Sequence, residues 1–568
     1  MSGVGRRVQT PDDLRTRLGQ IAGWQTATRD DRHVAKELHD THAIERVHGL
    51  DEAAFFDEFF HYLKTIEVWP LLDRLDPGKR LGPLYPFLQL ILFTLMRCVG
   101  GVQSLLATHD LLLTDEALMG LLGFNAYQVA HGANARGLGR RSAPVGVRGA
   151  FSYETVADNL VAIPPAALVE LFNGAVRCLA RQGLFAKHLD VVLDATDDEA
   201  TPTYQTDDDR PVPHVTRDKR PEVRANRHAQ KVEVTAYGWK LWIVWEPQSK
   251  IPLALSIDDI QKSDNEHAYT VLAQARQNVA GYATLRSVAL DRGFLDGKLL
   301  AAIEADGILI YIPAKSNMTV TQEARSIARR AAAAVALGRS VAGCVYRERH
   351  DTVTRGSGKN ARPETRTTTL VGIGELPCDW WNPHGSSSQA NRKDFLPKLV
   401  RATVVLRWDG APKEAEKEVV LLTTDPAVDP FVAFDAYDER SRIENSCNRE
   451  AKEHWFLEHH PKRSEAGVRV HAYFVVLCMA LVAGFRADKS QSDEAERRGQ
   501  DLGITRYRRA LERENRDKVV VFIGERFGIF RSYEFALLVG VTVKERALMG
   551  DTVESVLRRY GVLPPDTS

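Results

Sequence analysis

The chain has no charge excess. Its 568 residues hold 75 Lys and Arg against 75 Asp and Glu, so no global field draws it to nucleic acid or to a membrane, and only local patches can do so. Cysteine is scarce. Cys98, Cys178, Cys344, Cys378, Cys447 and Cys478 are scattered, with no CxxC pair, which argues against a zinc knuckle and a disulfide framework and suits a reducing cytosol. The most apolar window, "LYPFLQLILFTLMRCVG", contains Gln89 and Arg97. It falls short of about 18 clean apolar residues, so it reads as a buried helix, and no membrane partner is expected. "MSGVGRRVQT" lacks the apolar core of a signal peptide. A G-x-x-x-x-G-K-[ST] phosphate loop, a persuasive Rossmann fingerprint and a G-x-S-x-G elbow are all missing, which counts against a motor, a dehydrogenase and a hydrolase of that kind. His454, His459 and His460 have offsets that share no helix face, and HExxH is absent, so zinc is not expected.

What is there is ordinary in apolar and charged content. The length exceeds one hydrophobic core, so roughly three or four domains are expected. Residues 1 to about 180 read as helical, with apolar residues at three- and four-residue steps in "EAAFFDEFFHYLKTIEVWPLLDRL". "ANARGLGRRSAPVGVRG" is a linker, and Ser152 a candidate cap for the helix after it. From 188 the pattern changes. "HLDVVLDATDD", "VEVTAYGWKLWIVWE", "IPLALSI", "LRSVALD" and "ILIYIP" read as strands. A helix opens at "SDNEHAYTVLAQARQNV", where Ser263 and Glu266 have the spacing of a capping box. "LDGKLLAAIEADG" is a second helix. Strands alternating with helices imply a mixed α/β layer whose functional crevice lies at strand carboxyl ends. Residues 320–340 form an Ala- and Arg-rich helix, and 341–424 have period two, an all-β insert with a basic loop "TRGSGKNARPETR". Two long helices follow, "DPFVAFDAYDERSRIENSCNREAKEHWF" and "SEAGVRVHAYFVVLCMALVAGF", then a charged linker and a small terminal module.

Asp194 closes the first strand of this layer in the sequence reading, and Asp291 the fourth. On neighbouring parallel strands the two side chains sit together above the sheet edge. Two such carboxylates repel, and one pKa rises unless a cation lies between them. Hard divalent cations held by a few carboxylates suit phosphate-ester chemistry. Glu444, among the basic residues of "YDERSRIENSCNREAK", is the candidate third ligand. Each acid also has a plain alternative. Asp194 would be a turn residue, Asp291 a helix cap, and Glu444 the partner of Arg440 one helical turn earlier.

"LDATD", "ALDRGFLDG" and "YDERSRIENSCNREAK" resemble the three catalytic blocks of DDE transposases of bacterial insertion sequences, in the cut-and-paste branch with a β insert before its Glu. Tyr437, Arg440 and Glu444 match that branch's signature spacing. Ala451 occupies its Lys position and Lys452 lies one residue later, which on an ideal helix displaces the Lys by about 100°. The resemblance covers roughly 188–485. It implies a ribonuclease-H-like sheet, with two Mg²⁺ ions (Mn²⁺ substituting) held by Asp194, Asp291 and Glu444. It implies cleavage at transposon-end inverted repeats, strand transfer to target DNA and, in one branch, a hairpin intermediate.

Other residues have expected roles beside these acids. Tyr437 and Arg440 would hold the scissile strand, with Lys452 beside them, and Arg292 would do the same or else be an ordinary surface residue. Arg220, Arg224 and Arg227 in "HVTRDKRPEVRANRHAQK" would neutralise phosphates, or else form a solvated loop. Trp380 or Trp381 would receive an unstacked base, or else pack the core of the insert. The expected architecture is a multidomain α/β chain, its ribonuclease-H-like mixed sheet interrupted by an all-β insertion and flanked by helical terminal regions. Residues 1–180 would bind transposon ends. The core would occupy 181–320 and 427–487, with Glu444 in the latter, around an insertion at 321–426. Residues 488–568 would form a C-terminal helical module for dimerisation. The protein is expected in the bacterial cytoplasm, nucleoid-associated when bound to DNA, as a homodimer on its DNA. The rival readings are a metal-dependent nuclease without strand transfer and a catalytically inactive, transposase-derived DNA-binding protein.

Overall fold

The computed structural model describes residues 27–51, 53–78, 86–124, 153–219, 232–355, 362–381, 397–408, 418–427, 429–490, 509, 512–541 and 551–565. Ser152, Arg220, Arg224 and Arg227 lie outside them, as does the Gly- and Arg-rich linker. There are two compact units, one drawn from Met1–Leu171, Trp455–Cys478 and Phe485–Ser568, the other from Phe172–His454 and Met479–Gly484.

In chain order the strands begin with two short ones, β1 (Thr28–Arg29) and β2 (Arg46–Gly49). The second unit holds β3 (His188–Ala200), β4 (His214–Lys219), β5 (Val232–Glu246), β6 (Ile251–Asp259), β7 (Thr284–Leu290) and β8 (Leu309–Pro313). It continues with β9 (Cys344–Arg355), β10 (Arg362–Cys378), β11 (Lys398–Trp408) and β12 (Val419–Thr423). A hairpin of β13 (Lys518–Ile523) and β14 (Arg526–Arg531) belongs to the first unit.

One ten-stranded mixed sheet runs through the second unit in the order β4-β5-β3-β7-β8-β12-β11-β10-β9, with β6 also on β5. β3, β7 and β8 are mutually parallel. Their centres are unbroken apolar runs, Val191–Val192–Leu193 and Val288–Ala289–Leu290, at most 3% exposed, as expected of parallel strands covered on both faces. The helix Asn265–Val279 packs on β6 and β5, and Gly297–Ala305 on β8. β12 pairs antiparallel with β8, so the strands of the insert continue the core sheet. The helix Thr319–Ala336 packs on β10, β11 and β9.

Two local readings are corrected. The Ser263–Glu266 capping box does not form. Asp264 is the residue before the helix and makes no side-chain cap. Glu266 turns instead to the Lys262 ammonium, 3.3 Å away, an ion pair that a neutral Ser263 backbone cannot match. The segment "HVTRDK", read only as a basic stretch, is strand β4, paired with the first half of β5. Where β5 passes from β4 to β6, Gly238 has φ +138°, and a Cβ there would lie 2.2 Å from the Asp198 carbonyl oxygen. Only glycine allows that approach.

In the first unit β13 pairs with β14 and β2, and β14 with β1, around Val34, Leu38, Val521, Phe530, Leu538 and Val556. The terminal regions therefore contain strands as well as helices. The apolar helix Phe87–Val99 is buried along its whole length. The helix Glu465–Ser490 includes a segment long and apolar enough to cross a bilayer, but 89% of the apolar window is buried in protein, as for a core helix.

Candidate active site

The register of β3 and β7 builds the site. Their ladder ends at Leu193 beside Leu290, so Asp194 and Asp291 are the next residue on each strand. Asp194 does not close β3. The strand runs on to Ala200, paired with β5, with Asp194 opposite Ile243. Asp194 instead marks where β7 stops beside it, which leaves that side of β3 open. Asp291 has extended backbone and precedes the short 3₁₀ turn Arg292–Phe294, yet its side chain caps nothing. The cap reading is therefore not what this carboxylate does. Beside it, a Cβ on Gly293 would sit 2.5 Å from Asp264 Oδ2. Lys240 Nζ holds the other oxygen of Asp264 at 2.9 Å.

The third acid comes from a helix. Asp429 accepts from the Phe431 amide at 2.9 Å and Pro430 opens the first turn of Pro430–Arg442, a favourable start on both counts. The helix then passes into a π turn, Ile443–Asn448, and resumes as Arg449–Glu453. Glu444 lies in that turn. Arg440, whose side chain is 11% exposed, points its guanidinium into the middle of the acids. Nη2 donates to Glu444 Oε1 at 2.9 Å, while Nη1 lies 3.8 Å from Asp291 Oδ1 and 4.0 Å from Asp194 Oδ1. The Tyr437 ring packs 5.5 Å from the Arg440 guanidinium carbon. The helical ion pair of Glu444 with Arg440 is thus present, and the same guanidinium joins it to the two strand acids.

Burial pushes the Asp194 carboxyl up to about 7, with the negative charges of Glu444 and Asp291 adding, against the pull of Arg440 and the Ala195 amide. Burial also raises the Tyr437 hydroxyl. The Arg440 guanidinium is held in its charged form, because Tyr437 and the three acids together outweigh its own burial.

Lys452 requires a new reading. Twelve residues of uninterrupted α-helix would leave Arg440 and Lys452 about 120° apart round the axis. A π turn, with its i→i+5 bonding, removes one residue from that count and reduces the offset to about 20°. The extra residue that shifts Lys452 in the sequence is thereby absorbed. Arg440, Glu444, Asn448 and Lys452 form a ladder at four-residue steps along β3. Asn448 Nδ2 donates to Asp194 Oδ2 at 2.8 Å, and Lys452 Nζ to the Asp197 carbonyl at 2.5 Å. Sequence reasoning did not single out Asn448. The four-residue step was its signal.

The remaining candidates differ in exposure. Arg292 is exposed beside Asp291. Trp381 is 2% exposed and packs within the insert. Trp380 is 38% exposed. Arg217, at the start of the basic stretch, is paired with Asp197, which cancels part of its charge.

Among the described residues no three His, Cys, Asp or Glu side chains lie close enough together to hold one metal ion. The donor set nevertheless fits a hard divalent cation. It consists of oxygens alone, its three acids share a single guanidinium, and burial, with the charges of the other two acids adding, disfavours an ionised Asp194.

Comparison with known proteins places the chain in a family. The family described as "Transposase DDE domain" matches residues 186–481, more than half of the chain. No curated protein sequence matches. Among solved structures, a cryo-EM structure of the piggyBac transposase synaptic complex with hairpin DNA aligns over 94% of this chain and 86% of that one, at 12% identity and a TM-score of 0.34, a likeness too low to add to the family match. The family match covers β3, β7 and the helix of Glu444 together, and on that ground the chain belongs to the transposase DDE domain family and is a DNA transposase.

Proposed function

We propose that this transposase cleaves the ends of its own mobile element and joins them to target DNA, with Asp194, Asp291 and Glu444 as its catalytic carboxylates. The observation that carries the reading is the meeting of all three, from two strands and a helix, at the Arg440 guanidinium. These residues would hold two Mg²⁺ ions, with Mn²⁺ substituting. Bound there, divalent ions activate the attacking oxygen and stabilise the leaving one. The chain supplies position and charge. Arg440, released from the acids, contacts a phosphate of the scissile strand. Tyr437 packs along that guanidinium, and Lys452 and Arg292 extend the positive rim. Arg220, Arg224 and Arg227 add phosphate contacts, and Trp380, the more exposed of the tryptophan pair, stacks an unpaired base. Residues 1–180 bind the inverted repeats and 488–568 support a homodimer that brings two ends together in the bacterial cytoplasm, on the nucleoid.

The test is incubation of the full chain with DNA bearing the flanking repeats, target DNA and Mg²⁺, beside Asp194→Ala, Asp291→Ala and Glu444→Ala. Joined product from the native chain alone supports the reading, and covalently closed ends on a denaturing gel mark a hairpin route. Nicks without joined product identify a nuclease, and equal behaviour of all four proteins a DNA-binding protein without catalysis.

A further inference from the structure

We infer that Asn448 is a positioning residue, which fixes the Asp194 carboxylate in the orientation that captures a divalent cation. The inference rests on the reading of Asp194 as a metal ligand. Asn448 is the last residue of the π turn and 8% exposed. Its Nδ2 donates to Asp194 Oδ2 at 2.8 Å. Its Oδ1 is buried and has no hydrogen-bond partner among the described residues. The amide is therefore committed to one bond, and that bond ends on the carboxylate. A side chain present only to finish the helix would place both ends of its amide.

The Ala195 amide on its own strand also favours the charged form of the same carboxylate. The bond from Asn448, on a different element, fixes Asp194 Oδ2. Asp194 Oδ1 is left toward Arg440, Asp291 and Glu444. The neutrality of Asn448 matters. A lysine or arginine at this position would orient the carboxylate equally well, but its charge would oppose an arriving cation. An amide donor orients the oxygen and leaves its full negative charge for the metal. This is the ordinary work of a residue behind a metal ligand, where replacement weakens metal binding without touching the metal. The π turn makes the contact compatible with Glu444 four residues earlier, because it keeps the ladder close to one line along β3.

The experiment is calorimetric titration of the full-length, chelator-treated protein with Mn²⁺ alone, for the native chain, Asn448→Ala, Asn448→Leu and Asp194→Ala. Thermal melts without metal accompany each. The expected result is Mn²⁺ binding weakened by about 10- to 100-fold in both Asn448 variants, with an unchanged metal-free melting temperature. Asn448→Leu keeps the branched side-chain outline without the amide and serves where the alanine variant does not fold. Native-like Mn²⁺ affinity in Asn448→Leu, with binding lost in Asp194→Ala, overturns the role of Asn448. Native-like affinity in Asp194→Ala overturns instead the reading of the acids on which it rests.

Discussion

Two largely hidden carboxylates in this molecule are treated in opposite ways. Glu534, on the helix Ser532–Leu538 of the first unit, is 2% exposed and fully matched. One oxygen pairs with Arg559, and the other accepts from the Tyr560 hydroxyl at 2.7 Å and the Arg531 amide at 3.0 Å. Asp194 is nearly as hidden, at 12% side-chain exposure, but its nearest cation stands 4.0 Å off and two further acids crowd the same guanidinium. The first arrangement closes a small core. The second gives its carboxylate the Asn448 amide but no close counter-ion, as is typical where a ligand is to supply it.

The largest expected effect separates the two in kind. Asp194→Ala, Asp291→Ala and Glu444→Ala are each expected to slow end cleavage by on the order of 10³-fold or more. Glu534→Gln is expected to leave the rate of the folded protein unchanged. A gel-based cleavage assay distinguishes them, and a comparable loss in Glu534→Gln would break the contrast.

The next effect lies in pH. The ordinary Asp pKa is near 3.9, and that of Asp194 is raised to about 7. Between those values the folded state holds the proton more tightly than the unfolded chain does, so the Asp194 contribution to stability falls as pH rises from about 4 to about 7. Measured against Asp194→Asn in chelator, the native protein is expected to lose up to roughly 4 kcal/mol across that window and to level off above it. Urea unfolding at a series of pH values checks this, and a flat difference would show that Asp194 is not strained.

A smaller effect follows from Glu534 itself. Glu534→Ala is expected to cost about 2 kcal/mol, visible as a lowered unfolding midpoint of the first unit, since Arg559 keeps Asp551 at 2.8 Å as a second partner. The smallest effect concerns Lys452, which shares both characters. It is bonded to a backbone carbonyl, yet stands on the ladder of the active site. If the ladder faces DNA, Lys452→Ala should reduce the slope of log affinity against log salt by about one. An unchanged slope would assign it to structure alone.

Much of the site was legible because apolar runs in "HLDVVLD" and "LRSVALD" end at their carboxylates, and strand ends are where a parallel sheet opens. That Asp194 lies within β3 was not legible, since "ATDDEA" is polar and remains strand only through its pairing with distant β5. β1 and β2 escaped for the same reason. They are two and four residues long, and Thr28 finds its partner at Arg526, which no local pattern announces. The π turn has no simple residue code, so the displaced Lys452 looked like a mismatch until the helix itself was seen to be one residue longer there.

The pairing of β12 with β8 also bears on what evolution or an engineer can remove. Without the stretch that follows β8, Ile310, Tyr311 and Ile312, now at most 4% exposed, would present open amides and apolar side chains along a bare border. Such a border invites a neighbouring molecule to dock as an extra strand. A shortened enzyme would therefore need to retain β12, or another segment capping the same rim, to remain dispersed in solution.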